Sequence, residues 1–505
     1  MNITTEIIKK KLKPSNWLLI VLIACSGLSC KTSTRDTLDL LSSDNDEIKV
    51  TSSDTSLVSI FNWAHATSNG YLGSDSDPVG PWYEAALPGR EAFCIRDVSH
   101  QCIGAEIISH GKQNLNMYYK FVENISESKD WCTFWEINRY NLPAPVDYTS
   151  DDDFWYNLNA NFDIINASYK LYLWTGNMAY INDPKFDSFF QISLNQYIDR
   201  WQLQSDKIMA RPSVMNATEK FIKEKKRWKM NARGLPSYDE GVEGLVVTSD
   251  LIAMIYNGFS TYAKILALRG ESASSQEYEN KAMKYSELID SVWWDKNNNS
   301  YFNYFLSDGK FHGGGSNLWM LWYGVIQDQQ KIISTLKNNN IWDYYQIEGM
   351  SYLPMLFYRF GYNENGYSFL HKIYANDRRQ YPEAASASIE GLVHGLMGVQ
   401  PSAAEGIVTT CSRLTKETAW ITIENIPVFS GLISVSHQSA AKTIFANKSG
   451  IDVTWRAMFQ GTYPKINVEG KDLPTRQYLD EIGNKHSYVD ITVNPKSQMT
   501  AEVVL

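Results

Sequence analysis

Acid, arginine and flat aromatic side chains crowd the stretch Gly80–Gln101, GPWYEAALPGREAFCIRDVSHQ. Trp82, Tyr83, Glu84, Arg90, Glu91, Arg96, Asp97 and His100 lie around a Pro-Gly turn that leads into an apolar helical pattern. Aromatic faces beside opposed arginine and carboxylate groups suit a polyhydroxylated ligand. Its C–H faces stack on rings and its hydroxyl rims take charge-assisted hydrogen bonds. The same residues would equally serve as a network that ties down a loop, so the rest of the chain must decide.

Cleaving a glycosidic bond needs one carboxyl to protonate the leaving oxygen and a second to activate water or attack directly. For the acid the sequence offers Asp239 in RGLPSYDEGV, where Tyr238 would desolvate the carboxyl and raise its pKa. Glu240 is the adjacent alternative, and capping of the following helix is the competing reading of both. For the base it offers Glu383 in RRQYPEA, with Tyr381 and Pro382 fixing the turn and Arg378 and Arg379 holding the carboxylate ionised. Asp97, flanked by Arg96, either accepts two substrate hydroxyls or is itself the acid, and Glu91 shares that ambiguity. Trp82 and Tyr83 read as a stacking platform or as core aromatics in a chain with 16 Trp and 30 Tyr. Arg90, Arg96, Glu136 and Tyr238 are further expected substrate ligands. His312 in FHGGGSN joins them, because its glycines let backbone approach a ligand closely. His100 and His110 are expected to be structural, and Glu390 to form a buried structural pair.

These residues sit on loops between helices. From about residue 56 to 400 the apolar positions recur at three- and four-residue spacing, as in DLIAMIYNGFSTYAKILALR at Asp250–Arg269. From about Thr410 the period becomes two, with Gly, Asn and Pro between runs, which predicts an antiparallel β-sandwich. The expected fold class is mainly α: an (α/α)6 toroid over 56–404 and a small C-terminal sandwich over 405–505. A ring of paired helices leaves a funnel, and loops at 131–148, 233–242, 347–352 and 378–384 each pair carboxylates with Tyr or Trp.

At the N-terminus, Lys9, Lys10, Lys11 and Lys13 precede the short apolar run WLLIVLIA at Trp17–Ala24. That run is too short to span a membrane as a helix and reads as a signal peptide over 1–25. Leu22-Ile23-Ala24-Cys25 resembles a bacterial lipobox, with Leu28-Ser29-Cys30 as a second acceptor, so a lipid anchor in the cell envelope is expected. Residues 26–55, rich in Ser, Thr and Asp, read as a flexible tether. The net charge of −9 without a basic stripe excludes nucleic acid as a partner. Cys94, Cys102, Cys132 and Cys411 show no zinc-ligand spacing, and no metal or cofactor is expected. A disulfide to Cys132 stays open.

PGREAFCIRDVSHQ, SYDEGVEGLVVTSDLIAMIYNGFSTYAKILAL and YPEAASASIEGLVHGLMGVQPS together resemble the six-hairpin glycoside hydrolases, the (α/α)6-toroid superfamily. The closing segment is distantly similar to that of the α-L-rhamnosidase-type members, but the rhamnosidase acid motif (Arg-Asp-Glu-Arg) and base motif (Trp-Glu-Arg-Trp) are missing. The resemblance implies a first motif that lines the cleaved sugar, a Tyr-Asp loop that carries the acid, a Glu-bearing loop before the last helix, and inversion. The expected activity is exo-acting hydrolysis of an oligosaccharide or polysaccharide. A surface glycan-binding lipoprotein and a polysaccharide lyase using Tyr238 and His312 are the alternatives.

Overall fold

Helices that are apolar all round must be buried, whereas those with one apolar stripe face water. Both kinds alternate here, in a computed structural model that describes residues 38–41, 46–212, 216–217, 221–222, 225, 227–228, 232–313, 317–337 and 345–504. The signal segment, Cys25, Cys30 and the glycines at 314–315 lie outside the described residues.

Among the described residues, twelve helices, with shorter turns between them, build the toroid: α1 (Thr55–Gly70), α2 (Ile95–Ile107), α3 (Gly111–Val122), α4 (Ala160–Thr175), α5 (Pro184–Leu194) and α6 (Ser249–Leu268), then α7 (Ser272–Val292), α8 (Asn317–Trp322), α9 (Gln329–Lys337), α10 (Leu353–Arg359), α11 (Asn363–Tyr374) and α12 (Pro382–Glu390, continued by a π-helical turn Gly391–Leu396). The even-numbered helices form the inner ring: α2 touches α4, α4 touches α6, and so on to α12, which packs back onto α2. Every residue of α12 is buried, while of the 21 residues of outer α7 only Ala282, Tyr285, Ser286 and Ile289 are. α6 is long and apolar enough to cross a membrane by composition, but it is an inner helix with 72% of its apolar window buried.

Two sheets follow. The seven-stranded one runs Lys49–Ser52, Ile421–Val428, Gly431–Ser439, Lys442–Asn447, Ser497–Val503, Lys465–Val468 and Lys471–Pro474. The five-stranded one runs Gln400–Ser402, Ile407–Cys411, Val453–Gln460, Lys485–Val493 and Arg476–Leu479, with a single parallel pair, 407–411 against 453–460. Two boundaries are corrected. Lys49–Ser52, inside the expected tether, is an edge strand paired antiparallel with Ile421–Glu424, because Val50 buries itself against the sheet. Asp54 then caps α1, accepting from the Ser56 amide at 3.0 Å. The sheet region also begins at Gln400 rather than 405. Residues Leu40–Leu505 form one compact unit. Cys94, Cys102, Cys132 and Cys411 are buried free thiols, which closes the question of a disulfide to Cys132.

Candidate active site

The N-terminal ends of the inner helices gather acids at one mouth of the ring, where helix dipoles favour negative charge. Asp97 occupies the first turn of α2 and Glu383 the first turn of α12. Their approach is set by a glycine: a Cβ added at Gly104 of α2 would lie 2.2 Å from the Ser386 carbonyl of α12. Small residues along Ala384–Ser388 complete the close contact.

Arg96 organises these acids. Its Nε and Nη2 donate to Asp97 Oδ1 at 3.1 and 2.9 Å, and Nη2 lies 3.8 Å from Glu383 Oε2. Tyr381 donates its hydroxyl to Asp97 Oδ2 at 3.3 Å. Glu383 is fully buried, and neither of its oxygens has an N–H or O–H donor within hydrogen-bond distance. Its neighbour is the Asp97 carboxyl. Burial pushes both carboxyls up, Glu383 well above its ordinary range, and the charge of Asp97 raises Glu383 further. Arg96 and Tyr381, which bind the Asp97 oxygens, partly offset the rise at Asp97. Arg378 and Arg379 do not hold Glu383 as expected. Arg378 pairs with Glu348 at 2.6 Å and Arg379 donates to the Tyr374 carbonyl at 2.7 Å.

Across Arg96 stands the loop before α6. The Arg96 guanidinium lies 5.7 Å from the Tyr238 ring centroid, a cation–π contact. Glu240 reaches Asn157 Nδ2 at 3.5 Å; burial raises its pKa and the Arg96 charge partly offsets that rise. Asp239 faces elsewhere: its carboxylate accepts from the Tyr304 hydroxyl and from the Gly241 amide at 3.1 Å. Of the two adjacent carboxyls, Glu240 is the one within reach of the Arg96 charge, whereas the Asp239 carboxylate is bound within its own turn and by Tyr304. Adjacent residues point apart, and the turn takes Asp239 for itself.

Arg90 and Glu136 do meet. Arg90 Nη1 donates to Glu136 at 2.6 Å and lies 3.5 Å from Asp147. Burial, then the hydrogen bond and charge of Asp147, push Glu136 up to about 8. Below the acids, the Tyr352 ring stacks on His100 at 3.4 Å, with Trp319 and Trp322 edge-on to it at 4.6 and 4.9 Å. His100 bonds Ser351 Oγ at 2.9 Å and His110 bonds Asn69 at 3.0 Å, both in structural roles. Glu390 is buried 3.4 Å from His394.

Four expected ligands, Trp82, Tyr83, Glu91 and His312, are placed away from the acids. Trp82 and Tyr83 are core residues, 4% and 3% exposed. The Trp82 Nε1 donates to Asp77 at 2.7 Å and the Tyr83 hydroxyl to Asn114 at 2.6 Å, so neither ring offers a free face. Glu91 takes a left-handed φ of 51° that turns its half-exposed side chain outward to Arg139 at 2.6 Å. His312 lies on the exposed hairpin opposite Tyr304, 3.8 Å from Asp308, and makes no contact with the acid cluster. Conversely, Asp147, Asn157, Asp163 and Tyr323 belong to the site's surroundings and went unread. Asp163 lies within an apolar helical run that gives no local signal, whereas Asp147 sits beside Tyr148 in the acid- and aromatic-bearing loop 131–148, which is the signal that could have found it. Among the described residues, no group of three His, Cys, Asp or Glu is placed to hold a metal ion.

Residues 147–350 match the protein family described as Trehalase. A search of the curated proteins finds no match. Among solved structures, the chain is similar to an alpha-L-rhamnosidase from Dictyoglumus thermophilum (TM-score 0.57, 11% identity), covering 90% of this chain and 50% of that one. It is similar to a GH78 family rhamnosidase of Bacillus sp. GL1 (TM-score 0.54, 11% identity), covering 79% and 40% respectively. It is also similar to an alfa-L-rhamnosidase from Aspergillus terreus (TM-score 0.50, 11% identity), covering 89% and 50%. The chain thus spans half or less of the length of each. At this identity the likeness is one of fold, and the chain has the six-hairpin (α/α)6-toroid fold with a C-terminal β region.

Proposed function

We propose that this toroid is an exo-acting, inverting glycoside hydrolase that removes a terminal sugar from a glycan. The observation that carries the reading is Arg96, which stands between a buried carboxyl pair, Asp97 and Glu383, and a third carboxyl, Glu240. Glu240, raised by burial, gives its proton to the leaving oxygen as the bond from the anomeric carbon breaks. Water attacks that carbon from the opposite side, and the Asp97–Glu383 pair takes the water's proton. Attack by water rather than by a carboxylate gives a single displacement, and hence inversion. The rings of Tyr352, His100 and Trp322 pack on one another, and Tyr352 lies close enough to feel the Glu383 and Asp97 charges, so the exo mode takes this ring cluster as the wall that a sugar end would meet.

The family match and the fold neighbours support the hydrolase over the alternatives. A lyase would need Tyr238 and His312 to meet over a uronate. The Tyr238 hydroxyl is instead committed to Asp163, and His312 lies on its exposed hairpin. A purely binding protein would have used Trp82 and Tyr83, which are buried. Attachment to the cell envelope through lipid on Cys25 or Cys30 is part of the same proposal. Metabolic labelling with a radiolabelled fatty acid tests it, and label absent from the Cys25→Ser, Cys30→Ser double variant is the expected result.

The deciding experiment is incubation with a panel of oligosaccharides, with ultraviolet monitoring and NMR of the first-formed anomer. Monosaccharide of inverted configuration is expected. Retained configuration would replace water activation by a covalent step, ultraviolet-absorbing ends would mean a lyase, and binding without products would end the hydrolase reading.

A further inference from the structure

Asp163, in the first turn of α4, is 3% exposed and accepts hydrogen bonds from the hydroxyls of Tyr238 and Tyr323. The two tyrosines come from different hairpins: Tyr238 from the loop before α6, and Tyr323 from the end of α8. Arg96, Lys170, Tyr156 and Tyr352 also face this carboxylate from α2, from α4 itself and from the neighbouring loops. A carboxyl is costly to bury, and packing alone would be met by an apolar residue of similar size. Two aimed hydroxyl donors instead specify one arrangement of the rings that carry them.

Tyr238 is consequently fixed at both ends. Its amide donates to Asp250 Oδ2 at 3.0 Å, and its hydroxyl is held by Asp163. Trp135 and Trp319 meet the ring edge-on at 6.3 and 5.8 Å, and Arg96 lies over it. Glu240 follows two residues later on the same turn. We infer that Asp163 is a positioning residue: by holding the Tyr238 hydroxyl it fixes residues 236–242, and so aims the Glu240 carboxyl across Arg96 at the Asp97–Glu383 pair. The inference rests on the hydrolase reading and deepens it, because it gives the acid's aim to a residue that touches no substrate.

The test uses two glycosides of the sugar that the wild type releases. One carries a sugar hydroxyl as leaving group, and the other carries 2,4-dinitrophenol, which departs without protonation. For Asp163→Asn, kcat on the first is expected to fall about tenfold or more, the scale of a mispositioned general acid, with little change on the second. Tyr238→Phe should reproduce the pattern, and adding Asp163→Asn to it should cost little more. Equal losses on both substrates, or full additivity of the two changes, would overturn the inference. If Asp163→Asn fails to fold, Tyr238→Phe alone carries the same leaving-group comparison. A wild type that releases no sugar from any member of the oligosaccharide panel would sink the hydrolase reading instead. A crystal structure of Asp163→Asn then still decides, since residues 236–242 must shift relative to Arg96 and an unmoved loop refutes the positioning role.

Discussion

Asp97 and Glu383 meet where the second and the twelfth helix close the ring, and Glu383 has no hydrogen-bond donor of its own there. Two carboxyls buried side by side oppose both being charged at once, and Glu383 is raised well above its ordinary range. This pairing, 3.8 Å from the same guanidinium that clamps Asp97, is the centre from which the expected behaviour of the protein follows.

Removing either member should abolish turnover. Asp97→Asn, Glu383→Gln and Glu240→Gln are each expected to lower kcat by about a hundredfold or more, as loss of an acid or base does. Asp239→Asn should cost far less, because that carboxylate is spent on Tyr304 and the Gly241 amide. Steady-state kinetics of the four variants checks the order. Asp239→Asn behaving as the worst of them would return the acid role to Asp239.

The close seam between α2 and α12 should be intolerant of a methyl group. Gly104→Ala places a Cβ 2.2 Å from the Ser386 carbonyl, a backbone atom that can move only with its helix. Overpacking of this kind costs about 1–3 kcal/mol, and separating the helices should also pull Asp97 from Glu383. Thermal unfolding and kcat should fall together. A variant with unchanged kcat would show that the pair does not depend on this contact.

Glu136 gives the protein a pH-dependent stability of definite sign. Its pKa is raised from 4.5 to about 8, chiefly by burial. A carboxyl raised on folding contributes stability that is complete below its unfolded pKa and is lost as pH rises through the folded one. The melting temperature of the wild type should thus decline from about pH 4.5 to about pH 8, where the unfolded chain has released the proton that folded Glu136 still holds, and level off above that range. Glu136→Gln cannot ionise and should flatten that decline in a calorimetric pH series, and parallel curves for the two proteins would contradict it.

Trp82 and Tyr83 should behave as core residues rather than as a sugar platform. Tyr83→Phe removes the hydroxyl that Asn114 accepts at 2.6 Å in the interior. A loss of about 1 kcal/mol of stability is expected, with KM unchanged. A raised KM at unaltered stability would put that ring back in contact with substrate.

Much of the protein was legible in its order of residues. The three- and four-residue apolar spacing and its change to a period of two announced a helical ring followed by sheets, because burial demands a repeat that matches each element. The clustering of acids and aromatics in inter-helix loops also points to Asp97, Glu383, Arg96 and Tyr238, which the structure brings into one neighbourhood, and to Arg90 and Glu136, which pair with each other. Local spacing could not say which way a side chain turns. Trp82, Tyr83 and Glu91 sit in the same motif as Asp97, yet the turn at Glu91 and the core beneath Trp82 send them elsewhere. Nor could it separate Asp239 from Glu240, or reveal that Arg96 rather than Arg378 serves Glu383.

The sequence by itself determined the kinds of element, their order and the chemical groups available at the loops, since these depend on neighbours a few residues apart. Only the tertiary structure decided which carboxyls meet, which arginine lies beside them and which aromatics are buried in the core. Those outcomes depend on closing the ring between α2 and α12, and on charge and burial acting between residues that are close in space and distant in the chain.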